Sequence, residues 1–146
     1  MLEGYHVDQT RMACLGQPPS TVTDAYAAML DVQGKVFDAL RPGTPWEDMY
    51  QLATDRAAEL GYADVFMGQG REQVKFVGHG VGLELDEPPV LAPKLRAPLA
   101  ANMTLAIEPK VALPGIGIVG IEDTVVIRET GVERLTICSP EMIVVE

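Results

Sequence analysis

Past Gly61 the chain changes character: two amphipathic helical stretches give way to β-branched runs punctuated by glycine and proline, and no regular strand-helix alternation follows. Strands that alternate with helices feed a parallel sheet through crossovers, whereas strands that follow one another with short turns return antiparallel. The expectation is therefore an α+β domain with a mainly antiparallel sheet. The helical part is read from its stripes. Between Ser20 and Leu40, the residues Val22, Tyr26, Met29, Leu30, Val36, Phe37 and Leu40 approximate one helical face, and Arg41-Pro42-Gly43 stops it. Thr44, Pro45 and Glu47 then read as a capping residue, a proline at the first helical position and a capping-box acid. They open a second helix that ends near Gly61, with Met49, Leu52, Ala53, Arg56, Ala57 and Leu60 as its narrower stripe.

The strand-like runs are VKFVGHGVGL, MTLAIEPKVAL, GIGIVGIEDTVVI and ERLTICS. Pro88, Pro89, Pro93 and Pro98 punctuate a segment expected to be an ordered loop, because Val90, Leu91 and Leu95 interrupt the prolines. The opening MLEGYHVDQTRMACLG alternates like a strand, with Leu2, Tyr5, Val7, Met12 and Cys14 at apolar or half-buried positions. It starts without a turn or cap, as though the numbering began inside a hairpin of a longer protein.

At 146 residues the chain is one domain's worth and can bury an ordinary core without a staple. Cys14 and Cys138 read as reduced, buried thiols of a cytoplasmic protein. No apolar run is long enough to span a bilayer. With 21 acidic against 11 basic residues and a formal charge of -10, a nucleic-acid backbone is a poor partner. An acidic excess is either a solvated surface or a set of carboxylates offset by a bound cation, and composition does not choose between them.

Four side chains able to ligate a metal stand inside or at the end of apolar strands: Asp8, His79, Glu108 and Glu122. A buried carboxylate in a run such as TLAIEPK or VGIEDTVV needs a compensating charge, and a cation shared among strands supplies it. Each residue taken alone has a plainer reading. Glu108 and Glu122 could be strand ends facing water, Asp8 could pair with Arg11, and His79 could be a hydrogen-bonded core histidine. Together, an oxygen-rich set with one imidazole suits Mn, Fe, Co or Zn used in hydrolysis. Gly78, Gly80 and Gly82 around His79 allow tight turning and close approach. A phosphate-cradling loop is the rival for these glycines, but the lysine and hydroxyl residue of a nucleotide site are missing.

In order along the chain, GYHVDQTR, GHGVGLELDEPP, MTLAIEPK and GIEDTVVI resemble the catalytic half of the pita-bread metallopeptidases, the family of prolidase, aminopeptidase P, methionine aminopeptidase and creatinase. The similarity runs from Gly4 to about Thr136. It implies the pita-bread (creatinase/aminopeptidase) fold, a curved mainly antiparallel sheet with helices on its outer face. Residues 1–146 would form a partial catalytic domain, incomplete at the N-terminus and without any N-terminal domain. The resemblance implies two divalent metal ions, Mn, Co or Zn, with Asp8, His79, Glu108 and Glu122 at four of five ligand positions. The fifth, an aspartate, would lie before Met1, so these residues alone are expected to be inactive with weak or partial metal occupancy.

The activity implied is cleavage of a peptide bond, of Xaa-Pro dipeptidase or aminopeptidase type, by a metal-activated hydroxide with Glu108 carrying the proton. A peptide or dipeptide substrate and a homodimer follow from the same resemblance. The chain also departs from the pattern. Asp86 stands where these peptidases commonly have a second histidine, Lys110 replaces glycine after IEP, and Gly120 replaces the arginine that often precedes IED. An ionised aspartate only accepts hydrogen bonds where an imidazole can donate, so Asp86 is expected to have its own catalytic or substrate-binding role. Two other readings stand beside the peptidase: another C–N hydrolase of the creatinase branch, and a non-catalytic pita-bread module that binds peptides. Creatinase-like chemistry uses histidines in place of ions, and only His6 and His79 are available here.

Overall fold

The computed structural model describes residues 3–146; Leu2, expected in the first strand, lies outside the described residues. Its elements are β1 (Ala13–Leu15), α1 (Ser20–Ala39), α2 (Trp46–Glu59), β2 (Gly78–Gly80), β3 (Glu87–Val90), β4 (Thr104–Ile107), β5 (Lys110–Leu113), β6 (Gly117–Gly120), β7 (Asp123–Arg128), β8 (Gly131–Arg134) and β9 (Ile143–Val145). The main sheet has five antiparallel strands in the order β3-β2-β4-β7-β8, β5 pairs with β6 as a separate hairpin, and β1 pairs in parallel with β9. The α+β, mainly antiparallel expectation holds. No helix among the described residues is long and apolar enough to cross a membrane.

The register of the central strands separates two faces. His79 lies opposite Ala106, and Ala106 opposite Thr124, so these three side chains share a face. The alternate residues Leu105, Ile107, Val125 and Ile127 project from the other face into a core with Val22, Met29, Val32 and Val36 of α1 and Met49, Ala53 and Ala57 of α2. Burying each large aliphatic side chain contributes about 1.5–3 kcal/mol. Gln33 of α1 reaches across this packing and donates its Nε2 to the Ile107 carbonyl at 3.0 Å, satisfying a buried amide at the helix-sheet contact. The helices thus cover one face of the sheet and leave the other to His79 and Thr124.

Several local expectations are corrected. The helix α2 begins at Trp46 with Pro45 at the cap, and no side chain caps it. Its first free N–H groups instead find carbonyls of the proline-rich segment, Trp46 N–H to Ala97 O at 3.1 Å and Glu47 N–H to Leu95 O at 2.9 Å. The Glu47 carboxylate turns to the same segment, accepting from the Lys94 N–H at 3.1 Å and pairing with Arg96 at 2.9 Å, rather than closing a capping box. That segment is not all loop. Glu87–Val90 forms the edge strand β3, and its two consecutive prolines fall in the register irregularity between the pairs His79–Val90 and Gly80–Glu87, where no ladder donor is asked of them. Among the described residues at the start of the chain only Ala13–Leu15 is a strand, and its partner is the parallel β9. Of ERLTICS only the Arg134 end is strand, and Ile137 is exposed.

The tie that holds the N-terminal segment to the sheet is polar. Asp123, fully buried at the start of β7, accepts from Arg11 Nη2 at 2.6 Å, Arg134 Nη2 at 2.6 Å and Thr136 Oγ1 at 2.7 Å. Arg11 also donates to the carbonyls of Thr10, Glu122, Cys138 and Ser139, so one guanidinium joins the N-terminal segment, β7 and the C-terminal tail. Asp123→Ala leaves two guanidinium groups without their buried partner and is expected to lower the unfolding free energy by about 3–5 kcal/mol, read from the urea midpoint.

Candidate metal centre

Two of the ligand candidates, Glu108 and Glu122, sit at corners where one strand gives way to the next. The run MTLAIEPKVAL breaks after Ile107, so that Glu108 and Pro109 form the corner between β4 and β5. Likewise GIGIVGIEDTVVI breaks after Gly120, and Glu122 occupies the corner between β6 and β7. An antiparallel bridge fixes that corner: Thr10 N–H donates to Glu122 O at 3.2 Å and Glu122 N–H to Thr10 O at 3.3 Å. The Thr10 hydroxyl then donates to Glu122 Oε2 at 2.7 Å, orienting the carboxylate. Asp8 is clamped by Thr124, whose Oγ1 accepts from the Asp8 N–H at 3.0 Å and donates to the Asp8 carbonyl at 2.6 Å. Since Thr124 shares a face with His79, this clamp brings Asp8 onto that face too.

The glycines around His79 serve close approach rather than turning. A Cβ at Gly78 would lie 2.4 Å from the Ala106 carbonyl oxygen, and one at Gly80 would lie 2.5 Å from that of Pro88. Strands β3 and β4 can therefore close on both sides of the imidazole only because its neighbours lack side chains.

Asp8, His79 and Glu122 each present one ligand atom, and those atoms lie within 4.8 Å of one another. One nitrogen and two carboxylate oxygens converging from three separate elements fit a divalent transition-metal ion. Glu108 stands beside this group and not within it: its Oε1 is 3.4 Å from His79 Nε2, while its Oε2 is taken by the Lys110 ammonium. Asp86 brings its Oδ1 to 3.1 Å from the same His79 Nε2, with a side chain 71% exposed at the mouth of the site. Glu108, Glu122, Lys110, Thr10, Met12 and Ile118 line an adjoining cavity of about 240 Å³.

For the three carboxylates the plain readings do not hold. Glu108 and Glu122 are both buried rather than facing water, and Arg11 pairs with Asp123 rather than Asp8. The cysteines are free, with Cys138 exposed and Cys14 half-buried rather than buried. Lys110 and Gly120, two separate departures in sequence, are direct cross-strand partners in the β5–β6 hairpin. Thr10 and Thr124 were not anticipated as positioning groups. Asp123 carried the signal in plain view, being a second carboxylate in the same apolar run as Glu122.

The electrostatics show what the cluster lacks. Burial pushes Glu122 up, the Thr10 hydrogen bond opposes this, and the neighbouring charges of Glu108 and Asp8 add to the rise, leaving it at about 7. For His79, burial disfavours the imidazolium, but the hydrogen bonds to Glu108 and to the Gly80 carbonyl, with the Asp86 and Glu108 charges, outweigh it and raise the group to about 9. Glu108 moves the other way: burial works against its ionisation, and His79 and Lys110 overcome that. The His79 Nδ1 contact with the Gly80 carbonyl at 3.1 Å occupies one ring nitrogen and aims Nε2 at the carboxylates, the orientation that a ligating histidine needs.

Residues 1–129 match the metallopeptidase family M24. That match covers most of the chain, and the chain belongs to this family. Among curated relatives, it is 35% identical over 142 residues to a probable dipeptidase PepE of Mycobacterium tuberculosis, covering 97% of this chain and 36% of that protein. It is 34% identical over 139 residues to the Xaa-Pro dipeptidase of Pyrococcus furiosus, covering 95% and 38%. Among solved structures, the X-Pro aminopeptidase of Thermotoga maritima superposes with a TM-score of 0.89 at 29% identity, covering 98% of this chain and 39% of that one. The chain thus spans well under half the length of these relatives. The pita-bread fold expected from the sequence motifs is the observed one.

A metal ion must displace the protons held by His79 and Glu122. Both groups are raised, so affinity for Mn²⁺ is expected to climb as pH rises through about 7 and on toward about 9, with net proton release. Calorimetry in buffers of different ionisation enthalpy reads that release directly; affinity flat from pH 6 to 9 (roughly, the span between free-histidine and shifted values) would contradict it.

Proposed function

We propose that this chain forms the catalytic part of a metal-dependent hydrolase that cleaves a peptide bond, of Xaa-Pro dipeptidase or aminopeptidase type. The observation that carries the reading is the convergence of Asp8, His79 and Glu122 at a buried corner of the sheet. The similarity to proteins named Xaa-Pro dipeptidase supports the substrate class. Asp8, His79 and Glu122 would hold a divalent ion, Mn, Co or Zn, which would supply Lewis-acid polarisation of the scissile carbonyl and lower the pKa of an attacking water.

The chain's own residues supply the rest. Glu108 is held ionised beside the cluster, so it is the group ready to take a proton from the attacking water and return it to the leaving amine. Asp86, exposed at the mouth and able only to accept, suits a cationic end of the substrate such as its free amino group. Met12 and Ile118 give the adjoining cavity an apolar wall that fits the ring of a proline. A cytoplasmic homodimer belongs to the same reading, supported by the free cysteines and by family resemblance.

The test is turnover of Xaa-Pro dipeptides and of longer peptides with proline second, by the intact natural protein loaded with Mn²⁺, Co²⁺ or Zn²⁺. Glu108→Gln is expected to lower kcat by about 10²–10⁴-fold, the usual worth of a general base. Asp86→His separates two roles: lost activity marks Asp86 as a substrate-binding group, and increased activity marks it as an impaired version of the family histidine. A protein that binds metal yet turns over none of these peptides would sink the hydrolase reading. The non-catalytic peptide-binding module would then stand, favoured by the Lys110 contact that engages Glu108.

A further inference from the structure

The corner between β4 and β5 holds a cation of its own. Lys110, the first residue of β5, folds its side chain back over the turn so that Nζ bonds the Oε2 of Glu108, and the pair lies at the edge of the ligand cluster. The Glu108 carboxylate is thereby used on both oxygens, by Lys110 on one side and by the His79 ring at 3.4 Å on the other. Consistently, the three groups whose ligand atoms converge are Asp8, His79 and Glu122, without Glu108.

The hairpin register explains how the lysine fits. Lys110 pairs with Gly120, and a Cβ at Gly120 would sit 2.6 Å from the Lys110 Cβ and 2.7 Å from the Pro109 carbonyl oxygen. A side chain at Gly120 would meet both the lysine stem and the backbone of the turn, so the glycine is what lets the hairpin close around Lys110. Charge repulsion points the same way. A second divalent ion would have to enter beside the Lys110 ammonium, a like charge a few ångströms away on a half-buried side chain.

We propose that Lys110 takes the place of one metal charge, withdrawing Glu108 from ligation so that the site holds a single divalent ion on Asp8, His79 and Glu122 instead of a pair. The inference rests on the metal-site reading above and narrows it. Glu108, withdrawn from ligation, stays beside the ion with its carboxylate held by Lys110 and the His79 ring.

The test is Mn²⁺ stoichiometry of the intact natural protein, by calorimetry and by metal analysis after gel filtration, with electron paramagnetic resonance to tell an isolated ion from an exchange-coupled pair. The wild-type protein and Lys110→Arg are expected to bind one equivalent and give an isolated-ion spectrum. Lys110→Gly, which removes the whole side chain, and Lys110→Gln, which keeps its length without charge, are expected to bind two equivalents with a coupled spectrum. Two equivalents in the wild-type protein would overturn the proposal and leave the hydrolase reading untouched. One equivalent in the wild type and in both uncharged variants would remove Lys110 as the cause and so overturn it as well. No Mn²⁺ binding at all would overturn the metal site itself.

Discussion

The antiparallel register across β2, β4 and β7 is the constraint on which the site depends. It sets His79, Ala106 and Thr124 side by side on one face while Leu105, Ile107, Val125 and Ile127 enter the core on the other. Because side chains alternate with a period of two, a slip of one residue would exchange the faces, driving an imidazole into the helix contact and leaving aliphatic groups at the site. The aliphatic core therefore does more than stabilise the domain. It selects the register, and the register delivers the imidazole.

Thr124 transmits that choice to the N-terminal segment. Its hydroxyl binds both backbone groups of Asp8, the Thr10–Glu122 bridge repeats the tie two residues on, and Arg11 closes onto Asp123. The segment that carries Asp8 has little regular ladder of its own, so these polar ties stand in for strand pairing. Their cost is two adjacent buried acids, Glu122 and Asp123, in one short stretch. The structure resolves it by giving them opposite partners: two guanidinium groups face Asp123, whereas Glu122 faces other carboxylates and is left asking for a cation.

Much of the site was legible because chemistry-bearing residues in apolar strands are conspicuous. Asp8, His79 and Glu122 were singled out on that ground and do converge. Glu108 was singled out with them and lies beside them, but its engagement by Lys110 depends on a side chain folding back over a turn, which no linear pattern encodes. The α2 start misled for a related reason. Thr44 and Glu47 have the spacing of a capping box, yet carbonyls of residues 95 and 97, far along the chain, reach the helix end first. The edge strand β3 was hidden by its prolines, which remove ladder donors but fall in a register irregularity opposite His79 and Gly80 where none are needed.

By itself, the sequence determined the order and type of the long elements, the antiparallel class of the sheet, and the acid and imidazole residues available to a metal site, because these follow from local periodicity and residue chemistry. Only the tertiary structure decided which of those acids share a cation and which are neutralised from within. Arg11 choosing Asp123 over Asp8, and Lys110 facing Gly120 while holding Glu108, are contacts between elements. Buried charges pair with whatever cation the packing brings within reach, and that is a matter of distance in space rather than along the chain.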